Sequence, residues 1–142
     1  LNSDGSPPSD LTYIDTDFPM FRLADVYLMY AEAAVRTGTN TGQAKDYVNM
    51  VRTRGYGEES GNITEADLTI EFLLDERARE LFWECHRRTD LIRYGKLTGG
   101  DYLWPWKGGV MDGTSIDNKF NLFPIPASDM GANPNLQQNS GY

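Results

Sequence analysis

Leu23-Ala24-Asp25-Val26-Tyr27-Leu28-Met29-Tyr30-Ala31-Glu32-Ala33-Ala34 sets the reading of this chain. Val26, Tyr27, Tyr30, Ala31 and Ala34 recur at the three- and four-residue spacing of one face of a helix, while Glu32 and Arg36, four apart, form a surface pair. A helix is expected to start near Phe18 and to stop at Gly38. Beyond a loop of Asn40, Thr41 and Gly42, the positions Ala44, Tyr47, Val48 and Val51 repeat the spacing, and Gly55 and Gly57 end it. Two helices joined by so short a loop predict an antiparallel hairpin.

Outward from the hairpin, small Ala residues facing Tyr and Val resemble tetratricopeptide packing, although one pair does not make a repeat array. Thr64 with Asp67, and then Thr69, are cap signals for a third, long helix with a stripe of Leu74, Ala78, Leu81, Phe82, Cys85, Thr89 and Ile92, ending at Gly95. Gly5, Pro7 and Pro8 make residues 1–17 an extended N-terminal segment. After Leu97, Gly99-Gly100, Gly108-Gly109, Gly113, Pro105, Pro124, Pro126 and Pro134 exclude long regular elements. The expected organisation is mainly α: an extended segment over 1–17, a helical region over 18–96, and an irregular, loop-rich region over 97–142 packed on the helices.

Composition narrows the function. A chain of 142 residues with 39% hydrophobic residues supports one modest core. A net charge of -8, with no basic run beyond Arg87-Arg88, argues against nucleic acid and anionic membranes as partners. Cys85 stands alone, so neither a disulfide nor a cysteine metal site is expected; it reads as a small buried hydrophobe. No apolar run reaches the ~18 residues of a membrane span, and no leader pattern opens the chain. The first residue is Leu1, which fits a fragment or a processed product.

Glu76, Glu80 and Glu84 follow one another at four-residue spacing, a repulsive row unless cations intervene. Arg77, Arg79, Arg87 and Arg88 lie on the same stretch, and Arg22, Arg52 and Arg54 could reach it from the hairpin. A partly buried ion-pair lattice is one reading; a solvated charged face is the other. Neither is catalytic. Two carboxylates stacked on one helix face imply no glycosidase cleft, the single His86 cannot complete a di-iron or zinc site, and Gly95-Lys96 lacks the upstream glycine of a phosphate loop. No catalytic residue, cofactor or metal is expected.

One binding candidate remains, the cluster Tyr102-Leu103-Trp104-Pro105-Trp106 between glycine pairs. Flat aromatic faces stack on the C–H faces of sugar rings, and Asp101 and Lys107, with Asp112, Asn118 and Asn121 nearby, could bond hydroxyls. Such rings also bury themselves to hold a loop down, a role that suits Trp104 best. The tail Asn133-Pro134-Asn135-Leu136-Gln137-Gln138-Asn139-Ser140-Gly141-Tyr142 has no helical or strand period yet ends on a large aromatic. Leu136 and Tyr142 are therefore expected to dock it on the helices.

Five segments together carry a family resemblance: Arg22 to Ala33, Asn49 to Arg54, Glu76 to Leu81 with Glu84, Arg87 and Asp90 to Arg93, then Phe123-Pro124-Ile125-Pro126, and Asn133 to Tyr142. In that order they resemble the C-terminal part of the SusD/RagB family. The resemblance implies a non-enzymatic cell-surface lipoprotein of a Gram-negative outer membrane. Such proteins bind a glycan, or in some members a peptide, over a SusC-like TonB-dependent transporter. It further implies that the lipidated cysteine and most of the helical-repeat half lie outside this chain, the remainder of the protein being a partner for the helices. No ligand residue carries over by resemblance. A helical protein-interaction module is the alternative.

Overall fold

A computed structural model describes residues 4–10, 12, 15 and 19–142. Its described residues form five α-helices, short 3-10 turns and no sheet; an isolated antiparallel bridge joins Gly99 to Ile116. The chain divides into two compact units, Leu1–Leu68 and Thr69–Tyr142, so the helical region expected over 18–96 is shared between them.

The first unit is built on α1 (Leu23–Thr37) and α2 (Thr41–Tyr56). Phe18, the expected start of α1, lies outside the described residues. Gly38 ends α1 at φ 67°, where Thr39 N–H reaches back to the Ala34 carbonyl at 3.1 Å, a Schellman closure. Asn40, itself left-handed at φ 54°, already precedes α2, so the loop is shorter than expected and Thr41 and Gly42 are helical. Gly55 is also helical, and Gly57 alone ends α2.

Leu28, Ala31 and Ala34 of α1 and Ala44, Val48 and Val51 of α2 are buried, and Leu68 joins them. Tyr27 stacks on Tyr47 at 4.5 Å, and Tyr30 meets Tyr47 edge-on at 5.1 Å. The apolar face of α1 is turned from the one expected: Leu28 is at its centre, whereas Val26 is half exposed and Tyr30 lies near the rim. Because α1 is apolar on more than one side, spacing alone could not choose between its faces.

Thr64 and Asp67 cap each other across the short turn Glu65–Asp67, with Thr64 N–H and Oγ1–H both donating to Asp67 Oδ2. These bonds, the hydroxyl's first, hold the Asp67 carboxyl below the usual carboxylate range.

In the second unit Thr69 Oγ1 accepts from Phe72 N–H at 3.1 Å and opens α3 (Ile70–Glu80). The long third helix expected to run to Gly95 is instead broken. After α3 the chain turns through Leu81–His86, with Trp83 and Cys85 left-handed at φ 65° and 63°, and resumes as α4 (Arg87–Arg93). Two pairings explain the break. Arg77 Nε donates to Asp90 Oδ2 at 2.9 Å, and Arg87 Nη1 to the Leu74 carbonyl at 2.9 Å, each between residues 13 apart. Along one continuous helix such residues would stand about 20 Å apart.

Leu81 stays buried at the turn, but Phe82 is 73% exposed, and Cys85 and Thr89 are also exposed. The stripe read through the turn, and the reading of Cys85 as buried, fail for that one reason. Residues 97–142 carry only the six-residue α5 (Ala127–Ala132) as α-helix. No described helix is long and apolar enough to cross a membrane.

Candidate functional site

The base of the aromatic loop is a clamp. Gly99 N–H donates to the Ile116 carbonyl at 3.0 Å, Thr98 Oγ1–H donates to Asn118 Oδ1 at 2.7 Å, and Asn121 Nδ2–H reaches Thr98 Oγ1 at 3.2 Å. Asn118 and Asn121, considered as hydroxyl contacts, thus close the loop. Inside it the chain folds back on itself: Lys107 N–H donates to Trp104 O, Thr114 N–H to Lys107 O, and Trp106 N–H to Met111 O. Gly113, at φ 77°, lies so close to this turn that a Cβ would stand 2.5 Å from the Trp104 carbonyl oxygen, which is why glycine is needed there.

The cluster's members receive different environments. Trp106 is 66% exposed and left-handed at φ 70°, a conformation costing about 1 kcal/mol or more in a residue with a Cβ. Trp104 is half-buried, its ring 6.0 Å from Tyr102 and tilted by 53°. Tyr102 is half-buried, and its hydroxyl is held: it accepts from Arg87 Nη2 at 2.8 Å and donates to Asp75 Oδ1 at 3.3 Å. Asp101 is exposed. Lys107 is 1% exposed, with its ammonium on two backbone carbonyls, so it is a support of the loop and not a surface contact. A ligand on this loop would meet Trp106 first, with Leu103 and Met111, 49% and 64% exposed, as apolar neighbours.

The charges of α3 and α4 are paired as follows. Asp90, which the glutamate-row reading omitted, is 2% exposed and holds two arginines, Arg77 through Oδ2 and Arg93 through Oδ1, both at 2.9 Å. Glu76 is buried and takes Arg79 at 2.7 Å. Glu80 and Glu84 are half-buried. Arg88 lies over the Phe123 ring at 4.0 Å. Arg52 belongs to the first unit, where its guanidinium donates to the Gly61 carbonyl and lies 5.1 Å from the Tyr56 centroid; Arg54 is exposed on α2. Asp90 could have been suspected from its i,i+3 relation to Arg93, but nothing in the spacing links it to Arg77.

Side-chain amides and the terminal tyrosine hydroxyl tie the tail to the backbone of residues 119–125. Gln138 presents Oε1 to Ile125 N–H at 2.8 Å and Nε2–H to Ile125 O at 2.9 Å, doing for one residue what a neighbouring strand would do. Asn139 Nδ2–H donates to Phe123 O at 2.7 Å, and the Tyr142 hydroxyl meets the Leu122 and Lys119 carbonyls. Leu136 is half-buried, while Tyr142 stays 43% exposed.

This clamped aromatic loop and amide-stitched tail occur in a chain whose residues 4–142 match the model of the SusD family. The chain belongs to the SusD family. It is 47% identical over 99% of its length to the starch-binding protein SusD of Bacteroides thetaiotaomicron, covering 24% of that protein. It is 36% identical over 87% of its length to the SusD-like protein P25 of Formosa agariphila, again covering 24%. The chain therefore spans about a quarter of the length of the curated relatives it matches.

Among solved structures, a SusD superfamily protein from Bacteroides vulgatus superposes with a TM-score of 0.70 at 32% identity, over 94% of this chain and 30% of that one. Surface glycan-binding protein A from Bacteroides thetaiotaomicron gives 0.67 at 31% identity, over 87% and 24%. The mainly helical architecture with a SusD-like, loop-rich C-terminal region is thereby established.

Proposed function

We propose that this chain is part of a cell-surface glycan-binding protein that takes up oligosaccharides together with a SusC-like TonB-dependent transporter in the outer membrane of a Gram-negative bacterium. The supporting observation is the 47% identity, across nearly the whole chain, to a protein named for binding starch. Within this chain the ligand contact is Trp106, with Tyr102 and Asp101 beside it. An exposed indole offers the flat apolar face that a pyranose ring stacks upon. Trp104 acts through packing. The protein binds and does not cleave, so a glycan incubated with it gains no reducing ends.

The test is calorimetric titration of the intact protein with maltoheptaose, an α-1,4-linked glucan. Trp106→Ala is expected to weaken binding by ~1 kcal/mol or more with the fold retained. Unchanged affinity in that variant assigns the loop to another role and moves the glycan contact to the remainder of the protein.

A second reading, a helical interaction surface, is favoured by Phe82 and Trp83, 73% and 84% exposed beside a cavity of about 590 Å³ lined also by Ala78, Leu81 and Cys85. Exposed apolar patches of this kind mark protein contacts. Loss of transporter association in a Phe82→Ser, Trp83→Ser variant with intact glycan affinity would separate the two.

A further inference from the structure

Of residues 97–142, only Lys107 is buried, and it is the residue there whose charge most resists burial. An ammonium is tolerated away from water only when its donors are met. Lys107 Nζ donates to the Gly99 carbonyl at 2.9 Å and to the Tyr102 carbonyl at 2.7 Å, and lies 4.7 Å from the centroid of the Trp104 ring. Two carbonyl oxygens and one aromatic face, with no carboxylate among these contacts, are the ligand set of a cation site. All three come from residues 99–104. The backbone of the same lysine ties on the rest of the loop, its N–H to Trp104 O and its carbonyl to Thr114 N–H, both at 3.0 Å. Trp106, immediately before it, is held at φ 70°.

We infer that Lys107 is an internal cation about which the loop 99–116 closes, and that this closure positions Trp106. It is a positioning residue: its own charge never reaches a ligand. The positioning half of the inference rests on the reading of Trp106 as a glycan contact; the cation half does not.

Two variants of the intact protein separate charge from volume. Lys107→Met keeps an unbranched, apolar side chain as far as the ε position and removes the ammonium with its donors. Lys107→Ala vacates a space that n-propylammonium matches atom for atom from Cγ to Nζ, with 1-propanol as the neutral counterpart. The indole N–H resonances are the primary readout. Those of Trp104 and Trp106 are expected to shift in both variants while that of Trp83, outside the loop, does not. Propylammonium should return them in Lys107→Ala, and propanol should not. Should Lys107→Ala fold only with propylammonium present, the cation site is equally supported.

Indoles unmoved in Lys107→Met, or propanol serving as well as propylammonium, would overturn the cation and leave a volume filler. Maltoheptaose affinity is the second readout. A loss of at least about 5-fold is expected in Lys107→Met, together with recovery in Lys107→Ala on adding propylammonium. Wild-type affinity retained in Lys107→Met, with shifted indoles, overturns the positioning of Trp106. A wild-type protein that binds no maltoheptaose defeats the glycan reading, while the indole resonances still decide the cation.

Discussion

In the α1–α2 hairpin the buried side chains are chiefly Leu28, Ala31, Ala34, Ala44, Val48 and Val51, each at helical spacing from the next on its own helix; in residues 97–142 the single buried side chain is a lysine. The hairpin satisfies its backbone within its helices and is held together by removing apolar surface from water. The C-terminal stretch has only one short α-helix, so its backbone is met by turn bonds and, beside them, by side chains: Lys107 for Gly99 and Tyr102, Gln138 for Ile125, Asn139 for Phe123, and Arg88 for Phe120. The difference teaches that a loop region can fold back on itself with a single fully buried side chain, provided that turn bonds and long polar side chains reach its carbonyls.

The α3–α4 pair lies between these extremes and should give the largest response. Asp90→Ala leaves Arg77 buried without its carboxylate and is expected to cost about 4 kcal/mol, the magnitude of breaking a buried pair. A urea melt showing a loss below about 1 kcal/mol would move this pair to the weak class of surface bridges. In the hairpin, Leu28→Ala removes a fully buried side chain and should cost about 3 kcal/mol by the same measurement. An equal cost for Val26→Ala would mean that α1 buries the face first read from its spacing.

Smaller effects test the polar side of the contrast. Gln138→Leu preserves bulk while leaving the Ile125 N–H and carbonyl without their partner, for an expected loss of about 1 kcal/mol. Amide exchange at Ile125 should accelerate, and exchange as slow as wild type would show the tail to be dispensable. The smallest effect concerns Asp67, whose carboxyl is held low by Thr64. A depressed folded-state value stabilises above the pH at which the unfolded chain's Asp titrates, and this contribution disappears as pH falls through the folded value. Thr64→Ala should therefore raise the Asp67 titration midpoint, read by carboxyl NMR, and flatten the acid limb of the stability curve. An unmoved midpoint would refute the cap.

How much could be read in advance follows from the same contrast. The hairpin was legible because a helical interface writes its own spacing into the chain, and the Thr69 cap and the Gly38 stop are local chemistry. The α3–α4 break was not legible. Leu74 to Ile92 keeps a helical period straight through Leu81–His86, with no glycine or proline to interrupt it. At the candidate site, the aromatic cluster stood out by composition, yet which of its members faces water did not. Asp101, Tyr102, Trp104, Trp106 and Lys107 are contiguous or nearly so, and a looped chain without a period gives no rule for which side chain turns inward.

The sequence by itself determined the mainly helical class, the hairpin, the loop-rich C-terminal region and the family, since each rests on periodicity, on turn-forming residues or on ordered motifs read along the chain. Tertiary structure alone decided that Arg77 belongs to Asp90, that Phe82 and Cys85 face outward, that Lys107 goes inside, and that amides hold the tail. These are pairings between residues distant along the chain, or choices between equal faces. They depend on where the backbone carbonyls and carboxylates come to lie once the chain has folded back.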